Sequence, residues 1–336
     1  MAQNRVRIAD VADALGLSTA TVSKVIHGKT EKISDETVKR VQQELERSGY
    51  IPNMAGILLA RNNSRIIGVV VNDNEKYEGR VLEDGFVMSS LNALSHEVNE
   101  KGYFLMIKTT SDISEIPAFA SMWNMDGLIL MGFCEADYEK LRNQMRISFV
   151  VYDGYFEKCS KVVNLVINHY DGGCQAGKYL KELGHKKALC IADNFICMDK
   201  ERIEGFIESF EPGETLRWEI PKTEKERMCF YEDKYRKLIK NNVTAVFAVS
   251  DFYALEFMRF LQGKGIQIPK DIQIIGFDDN LASRESNPAL TTIHQEAPLR
   301  AKTAIRCLEA MRDGAECETE IVLPVELIKR ESTRKL

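Results

Sequence analysis

From Ile66 to its end the chain alternates short, strongly apolar runs with helical stretches, and this alternation restricts the fold more than any other feature. RIIGVVV reads as a buried strand and YFLMIKT, GLILMG and SFVVYDG as further strands, with EDGFVMSSLNALSHEVNEKG a helix between the first two. CQAGKYLKELG, KERIEGFIESF and YALEFMRFLQGKG then read as helices interleaved with the strands KKALCIAD, VTAVFAVS and IQIIGFDD. A helix between two strands forces a crossover, so the strands pair in parallel and the body is α/β. A body of about 270 residues is large enough for two lobes.

Composition excludes several other classes. At 44% hydrophobic and 28% charged residues the chain is neither disordered nor fibrous. No apolar run approaches the ~20 residues of a membrane span, and the N-terminal MAQNRVRIADVADAL lacks the apolar core of a secretory signal, so a cytoplasmic protein without membrane partners is expected. The eight cysteines contain no C-x-x-C pair, which points to free, mostly buried thiols rather than a zinc or redox centre. No G-x-S-x-G, H-E-x-x-H or strand-linked G-x-G-x-x-G is present, and the five histidines are dispersed. GGCQAGK at 172–178 satisfies G-x-x-x-x-G-K, but Tyr179 stands where a phosphate loop needs Ser or Thr, and the segment continues as helix. No enzyme, cofactor or metal site is expected. His185 sits at a helix end, where a partly positive imidazole suits the dipole.

The first 65 residues differ from the body. They hold ten basic and seven acidic residues, a charge of +3, within a chain whose formal net charge is −5. A basic head on an acidic body suits an anionic partner for the head. Ile8, Val11, Ala12 and Leu15 share one helical face, and Gly16 stops that helix. Ser18 caps a second helix, TATVSKVI, with Val22 and Val25 as core, and Ser34 caps a third that ends at Gly49. Three short helices with a tight Gly-containing turn between the first two describe a helix-turn-helix.

RIADVADALGLSTATVSKVIHG, ISDETVKRV and GYIPNMAGILLA together resemble the head of the lactose-repressor/galactose-repressor (LacI/GalR) family of bacterial regulators. The likeness continues through RIIGVVV, MDGLILMG, VVYDG, YLKELGHKKALCIAD, ERIEGF, VSDFYALEFMRFLQGKGIQIPKDIQIIGFDDN, NPALTTIHQ and LPVELIKREST. It implies an α/β protein with an N-terminal helix-turn-helix head and a two-lobed, periplasmic-binding-protein-like body of doubly wound parallel sheets. The expected domains are a DNA-binding head at 1–50, a hinge at 51–65 and an effector-binding, dimerising body at 66–336. Lobe boundaries are expected near 66–160 with 291–322, and 161–290 with 323–336.

The resemblance also implies roles for single residues. Thr19 and Ala20 fall where the family reads bases, with Lys24 at a further DNA-contacting position, while Ser18, Thr21, Ser23, His27 and Asn53 are the other candidate DNA contacts. The family's hinge helix wedges a leucine into the minor groove, and Leu59 stands there. Gly56 and Ile57 depart from the family's hinge pattern. In parallel sheets ligands bind beyond the carboxyl ends of strands. Asn72, Asp153 and Asp278 follow strands and are candidate effector contacts, and the resemblance adds Arg202 and Ser250 and supports Asp278, with Asp251 and Asp279 read as caps or loop anchors and Trp218 and Tyr231 as packed aromatics. The expected function is a dimeric regulator, a repressor, on a near-palindromic double-stranded operator, controlled by a small-molecule effector, a carbohydrate. The alternatives are co-repression by a non-sugar metabolite or a partner protein, and a solute-binding protein. No leucine-heptad tail follows KREST, which favours a dimer over a tetramer.

Overall fold

The computed structural model describes residues 6–26, 28–51, 64–133, 135–154 and 162–336. His27, Asn53, Leu59 and the Gly56-containing hinge expected from the sequence lie outside them. The chain divides into two units, Met1–Ser64 and Arg65–Leu336.

In the first unit, α1 (Ile8–Leu15), α2 (Thr19–Ile26) and α3 (Asp35–Ser48) pack their apolar stripes together. Val11, Ala12, Val22, Val25 and Val41 form the buried centre, which is what the helical spacing of the sequence requires. Gly16 ends α1 at φ 64°, a conformation that costs glycine nothing. The Ser18 and Ser34 hydroxyls accept from the amides of Thr21 and Thr37, at 3.1 and 3.3 Å, and cap the next two helices.

The second unit holds two six-stranded sheets. The first consists of β1 (Ile66–Val71), β2 (Phe104–Thr109), β3 (Gly127–Met131), β4 (Phe149–Tyr152), β5 (Val162–Ile167) and β11 (Glu320–Leu323), in the order β11-β5-β4-β3-β1-β2. The second consists of β6 (Lys187–Ala192), β7 (Glu214–Glu219), β8 (Ala245–Ala248), β9 (Gln273–Asp278), β10 (Thr291–Gln295) and β12 (Val325–Ile328), in the order β12-β10-β9-β8-β6-β7. All pairings are parallel except β12 against β10.

The lobe boundaries fall elsewhere than the sequence suggested. β5, assigned to the second lobe, pairs with β4 and β11 and closes the first sheet. β10, assigned to the first lobe, pairs with β9 in the second. An apolar run marks a buried strand but not the sheet that receives it. The chain therefore crosses between lobes after Ile167, after Gln295 and after Leu323.

The cysteines also depart from expectation. Of the six described, only Cys190 and Cys307 are buried; Cys229 is exposed and the other three are half-buried, and none forms a disulfide. His185 is buried, its Nδ1 2.8 Å from the Thr244 hydroxyl, and burial lowers its pKa, so it does not serve the helix end as a cation.

Candidate functional site

Both sheets share one strand order at their centre, with the first strand between the second and the third. Beyond the carboxyl ends at such a reversal lies the crevice where open α/β sheets bind ligands. In the first lobe Asn72 follows β1 and Gly132 follows β3, with the Asn72 amide donating to the Gly132 carbonyl at 2.8 Å. In the second lobe Asp193 and Asn194 follow β6 and Ser250 follows β8. The two crevices open onto one cavity of about 190 Å³.

All five effector candidates from the sequence, Asn72, Asp153, Arg202, Ser250 and Asp278, line this cavity. Arg202 comes from α8 (Cys197–Phe210), which packs against α7 (His169–Glu182). Its guanidinium carbon lies 3.7 Å from the Phe277 ring centre, its Nε donates to His169 Nδ1 at 3.1 Å, and its Nη1 donates to the Val249 carbonyl. The fork is fixed before any ligand arrives, which reduces the ordering cost of binding.

His169 Nδ1 accepts here, so the ring is neutral with its proton on Nε2, which donates to Asp153 Oδ1 at 2.9 Å. Burial, with Arg202 assisting, lowers the His169 pKa to about 4 against the pull of Asp153. Burial alone would raise the Asp153 carboxyl. Arg300, 2.8 Å away, and His169 overcome it and hold the group far below the usual carboxylate range. Arg300 lies in α12 (Ala297–Arg312) and also donates to the Leu165 carbonyl at 2.7 Å and to Gln295 Oε1 at 3.3 Å. Gln295 in turn donates to Asp278 Oδ1 at 2.7 Å. The polar chain thus begins at Arg202, passes through both lobes beside two of the crossovers, and returns to Asp278.

Asp153 and Asp278 adopt positive φ angles, 55° and 131°. Non-glycine residues held there cost of order 1–3 kcal/mol each, and such strain gathers at functional sites. Ser250 caps α10 (Asp251–Gly263), its Oγ accepting from the Tyr253 amide at 3.4 Å. Asp251 and Asp279 are anchors, as the sequence suggested: Asp251 accepts from the Thr292 hydroxyl and the Asn280 amide, and Asp279 pairs with Arg284, His294 and Arg330. Tyr231 is core, and Trp218 packs edge-on against Phe230 and Phe257.

On the head, Thr19, Ala20 and Lys24 are exposed on α2, and Ala20 and Lys24 share a face at i, i+4 spacing. Ser18 is exposed but its hydroxyl is engaged as the cap and lies 2.9 Å from the Thr21 hydroxyl; Thr21 and Ser23 are half-buried.

Two family models match the chain: "Bacterial regulatory proteins, lacI family" over residues 7–53, and "Periplasmic binding protein-like domain" over 178–333. The HTH-type transcriptional repressor PurR of Pasteurella multocida (strain Pm70) is 30% identical over 342 residues, spanning 97% of this chain and 98% of that protein. The chain belongs to the LacI family. The HTH-type transcriptional regulator DegA of Bacillus subtilis (strain 168) is 29% identical over 348 residues, covering 98% of each chain. Among solved structures, the Lac repressor dimer bound to operator and the anti-inducer ONPF superposes with a TM-score of 0.82 over 98% of this chain and 99% of that one, at 22% identity, which shows the fold. The CelR–cellobiose complex superposes at 0.70 and 22% identity, over 98% of this chain and all of that one.

This LacI-family chain is a DNA-binding transcription regulator, and among its described residues no helix is long and apolar enough to cross a membrane. Its cavity also contains residues the sequence did not single out. Asp193 and Asn194 follow a strand, so the rule that selected Asn72 would have found them. Lys76, Tyr77 and Asp84 come from a segment without periodicity, and Asp199, Phe252 and Tyr253 from helix starts. His169 and Arg300 are ordinary helical positions in the sequence, and only burial marks them.

Proposed function

We propose that this regulator is a repressor which binds a near-palindromic operator as a homodimer, with operator affinity set by a compact, polyhydroxylated metabolite in the inter-lobe cleft. The observation that carries the reading is the meeting of both strand-order reversals on one cavity lined by Arg202, Asp278, Asn72, Ser250 and Asp153. Carboxylates and a fixed guanidinium suit vicinal hydroxyls, which present paired donors and acceptors. A cavity of about 190 Å³ suits a single sugar ring. The names of related proteins support the class: a Lac repressor dimer on its operator, CelR with cellobiose, and an Enterococcus faecium LacI-family regulator with ribose. The polar chain from Arg202 to Asp278 gives the ligand a grip on both lobes, and a differential grip on two lobe arrangements is what couples the sites, typically by 1–3 kcal/mol.

On the head, the proposed base-facing residues are Thr19, Ala20 and Lys24. Lys24→Ala should weaken binding of the full chain to its operator and reduce the slope of log affinity against log salt by about 1 if Lys24 meets phosphate. A loss confined to operator sequence, with an unchanged slope, places Lys24 on a base edge instead. Fluorescence anisotropy with operator and scrambled duplexes separates these outcomes, and a variant that binds both duplexes as the wild type does removes Lys24 from the interface. Light scattering of the complex tests the dimer against the 38.2 kDa of one chain.

A further inference from the structure

Among the described residues, four carboxyl groups line the cleft with no cation in ion-pair contact, although Lys76 and Arg202 act on them from farther off. Asp84 lies at the start of α4 (Gly85–Glu100), Asp193 just past β6, Asp199 in the first turn of α8 and Asp278 at the end of β9. Their close partners are neutral. Asp84 Oδ1 accepts from the Phe86 and Val87 amides at 3.1 and 3.0 Å. The Asn194 side-chain amide donates to Asp193 at 3.1 Å and to Asp199 at 3.0 Å, and Gln295 donates to Asp278. Among the described residues the cations on the cavity wall are Lys76 and Arg202. Arg202 is tied to His169, Val249 and the Phe277 face, while the Lys76 ammonium sits 5.0 Å from the Tyr77 ring centre and 5.9 Å from that of Tyr253. Asp153 does not enter the count, because Arg300 neutralises it from behind. Among the described residues the cleft therefore sets four such carboxyl groups against two cations.

A second, independent feature points to a ligand. The hydroxyls of Tyr152 and Tyr253 have no hydrogen-bond partner, although these residues are only 3% and 1% exposed and both line the cavity. A buried hydroxyl left unpaired loses the hydrogen bonds it would make in water, so each is a place for a ligand group.

We propose that the effector is an amino sugar, a hydroxylated ring of monosaccharide size whose ammonium sits among Asp84, Asp193, Asp199 and Asp278 and whose hydroxyls meet Tyr152, Tyr253 and Arg202. The proposal rests on the reading of this cleft as the effector site. An anionic ligand, such as a sugar phosphate, would add charge of the sign already in excess; a neutral sugar would leave the excess standing.

Three of these carboxyls are raised, with burial the largest cause. Burial pushes Asp199 up to about 6, with Asp193 adding to the rise and Arg202 and Lys76 opposing it. Burial also raises Asp278 well above its ordinary range, with Asp251 and Asp84 adding and Arg202 and Gln295 opposing, and it raises Asp84 against the pull of Lys76. An ammonium favours the ionised carboxylates. Amine affinity therefore rises with pH from about 5 to about 7, over which the sugar amine stays largely charged, while a neutral sugar gains nothing from that ionisation.

The test is calorimetry and thermal shift on the full chain with glucosamine, galactosamine and mannosamine, each beside its N-acetyl derivative and its parent hexose. The expected result is one amine bound at least about tenfold more tightly than both neutral partners, with affinity rising over that pH range and falling at least about tenfold in Asp199→Asn. A parent hexose or N-acetyl sugar bound as tightly as its amine overturns the ammonium, as does a panel in which no amine raises the melting temperature. Arg202→Ala separates the two readings. If it abolishes binding of a neutral sugar, the cleft stands as the effector site and the amine falls. If it leaves amine binding unchanged, the ligand sits elsewhere and the cleft reading fails with it.

Discussion

Asp153→Ala is expected to destabilise the body by roughly 3–5 kcal/mol, the range seen when one partner of a buried ion pair is removed. The residue left behind is Arg300, whose side chain is 3% exposed and whose guanidinium lies 4.1 Å from the Tyr152 ring centre. It would keep the Leu165 carbonyl and Gln295 but lose its only ion-pair partner among the described residues. His169 would lose the acceptor that fixes its tautomer, and with it the orientation of the nitrogen that receives Arg202. For a body of this size the loss corresponds to a fall of roughly 10 °C in melting temperature. Adding Arg300→Met should restore part of it, because an apolar side chain removes the unpaired charge as well. A double variant as unstable as Asp153→Ala alone would mean that the pair is not the cause.

The same network sets an acid dependence. The Asp153 carboxyl titrates in the folded body below its unfolded value of about 3.9, so its contribution is present above that value and lost as pH falls. His169 titrates at about 4 folded against about 6.5 unfolded, so the unfolded chain binds more protons between those values and stability falls on acidification through that window. Asp199, raised to about 6, works in the opposite sense: its burial costs stability at neutral pH, and that cost is relieved as pH falls through 6. Denaturant melts of the wild type and Asp153→Asn, carried from neutral pH down to about 3, should run parallel as far as about 4 and draw together below it. Parallel curves across the whole range would remove Asp153 as the source.

Which parts of this were legible in the sequence follows from what each signal measures. Apolar periodicity reports burial, and it placed β1, β3, β6, β8 and β9 and the three head helices where they are. It did not report the sheet to which β5 or β10 belongs, because that depends on where the chain crosses between lobes. The rule that ligands lie past strand ends reached Asn72, Asp153 and Asp278, and family likeness supplied Arg202 and Ser250. No local pattern betrays Lys76, which reaches the cavity from the aperiodic segment between β1 and α4, or Arg300, one cation among several on α12. Arg300 is distinguished only by facing a carboxylate that sequence places far away, after β4.

The second expected result concerns a motif the sequence could reject but not explain. Gly173→Ala should lower the melting temperature and reduce effector affinity at least about tenfold, while leaving the head's own core untouched. GGCQAGK is not a phosphate loop; two of its glycines, Gly173 and Gly177, are where α7 meets α8 backbone to backbone. A Cβ at Gly173 would stand 2.0 Å from the Arg202 carbonyl oxygen, and one at Gly177, a turn later, 2.5 Å from that of Phe206. From the other side, a Cβ at Gly205 would stand 2.1 Å from the Tyr170 carbonyl oxygen. Main-chain atoms cannot yield as a flexible side chain can, so a single methyl must push the helices apart, a strain of about 1–3 kcal/mol or more. The residue displaced is Arg202 itself, whose fork depends on its distance to Phe277, His169 and Val249. Gly263→Ala is the matched control, since it lies at the end of a helix with open space around its Cβ position and should be neutral or slightly stabilising. Equal effects of the two substitutions on effector binding would mean that the close approach of α7 and α8 does not position Arg202. An effect confined to Gly173→Ala ties the glycine motif to the binding cleft.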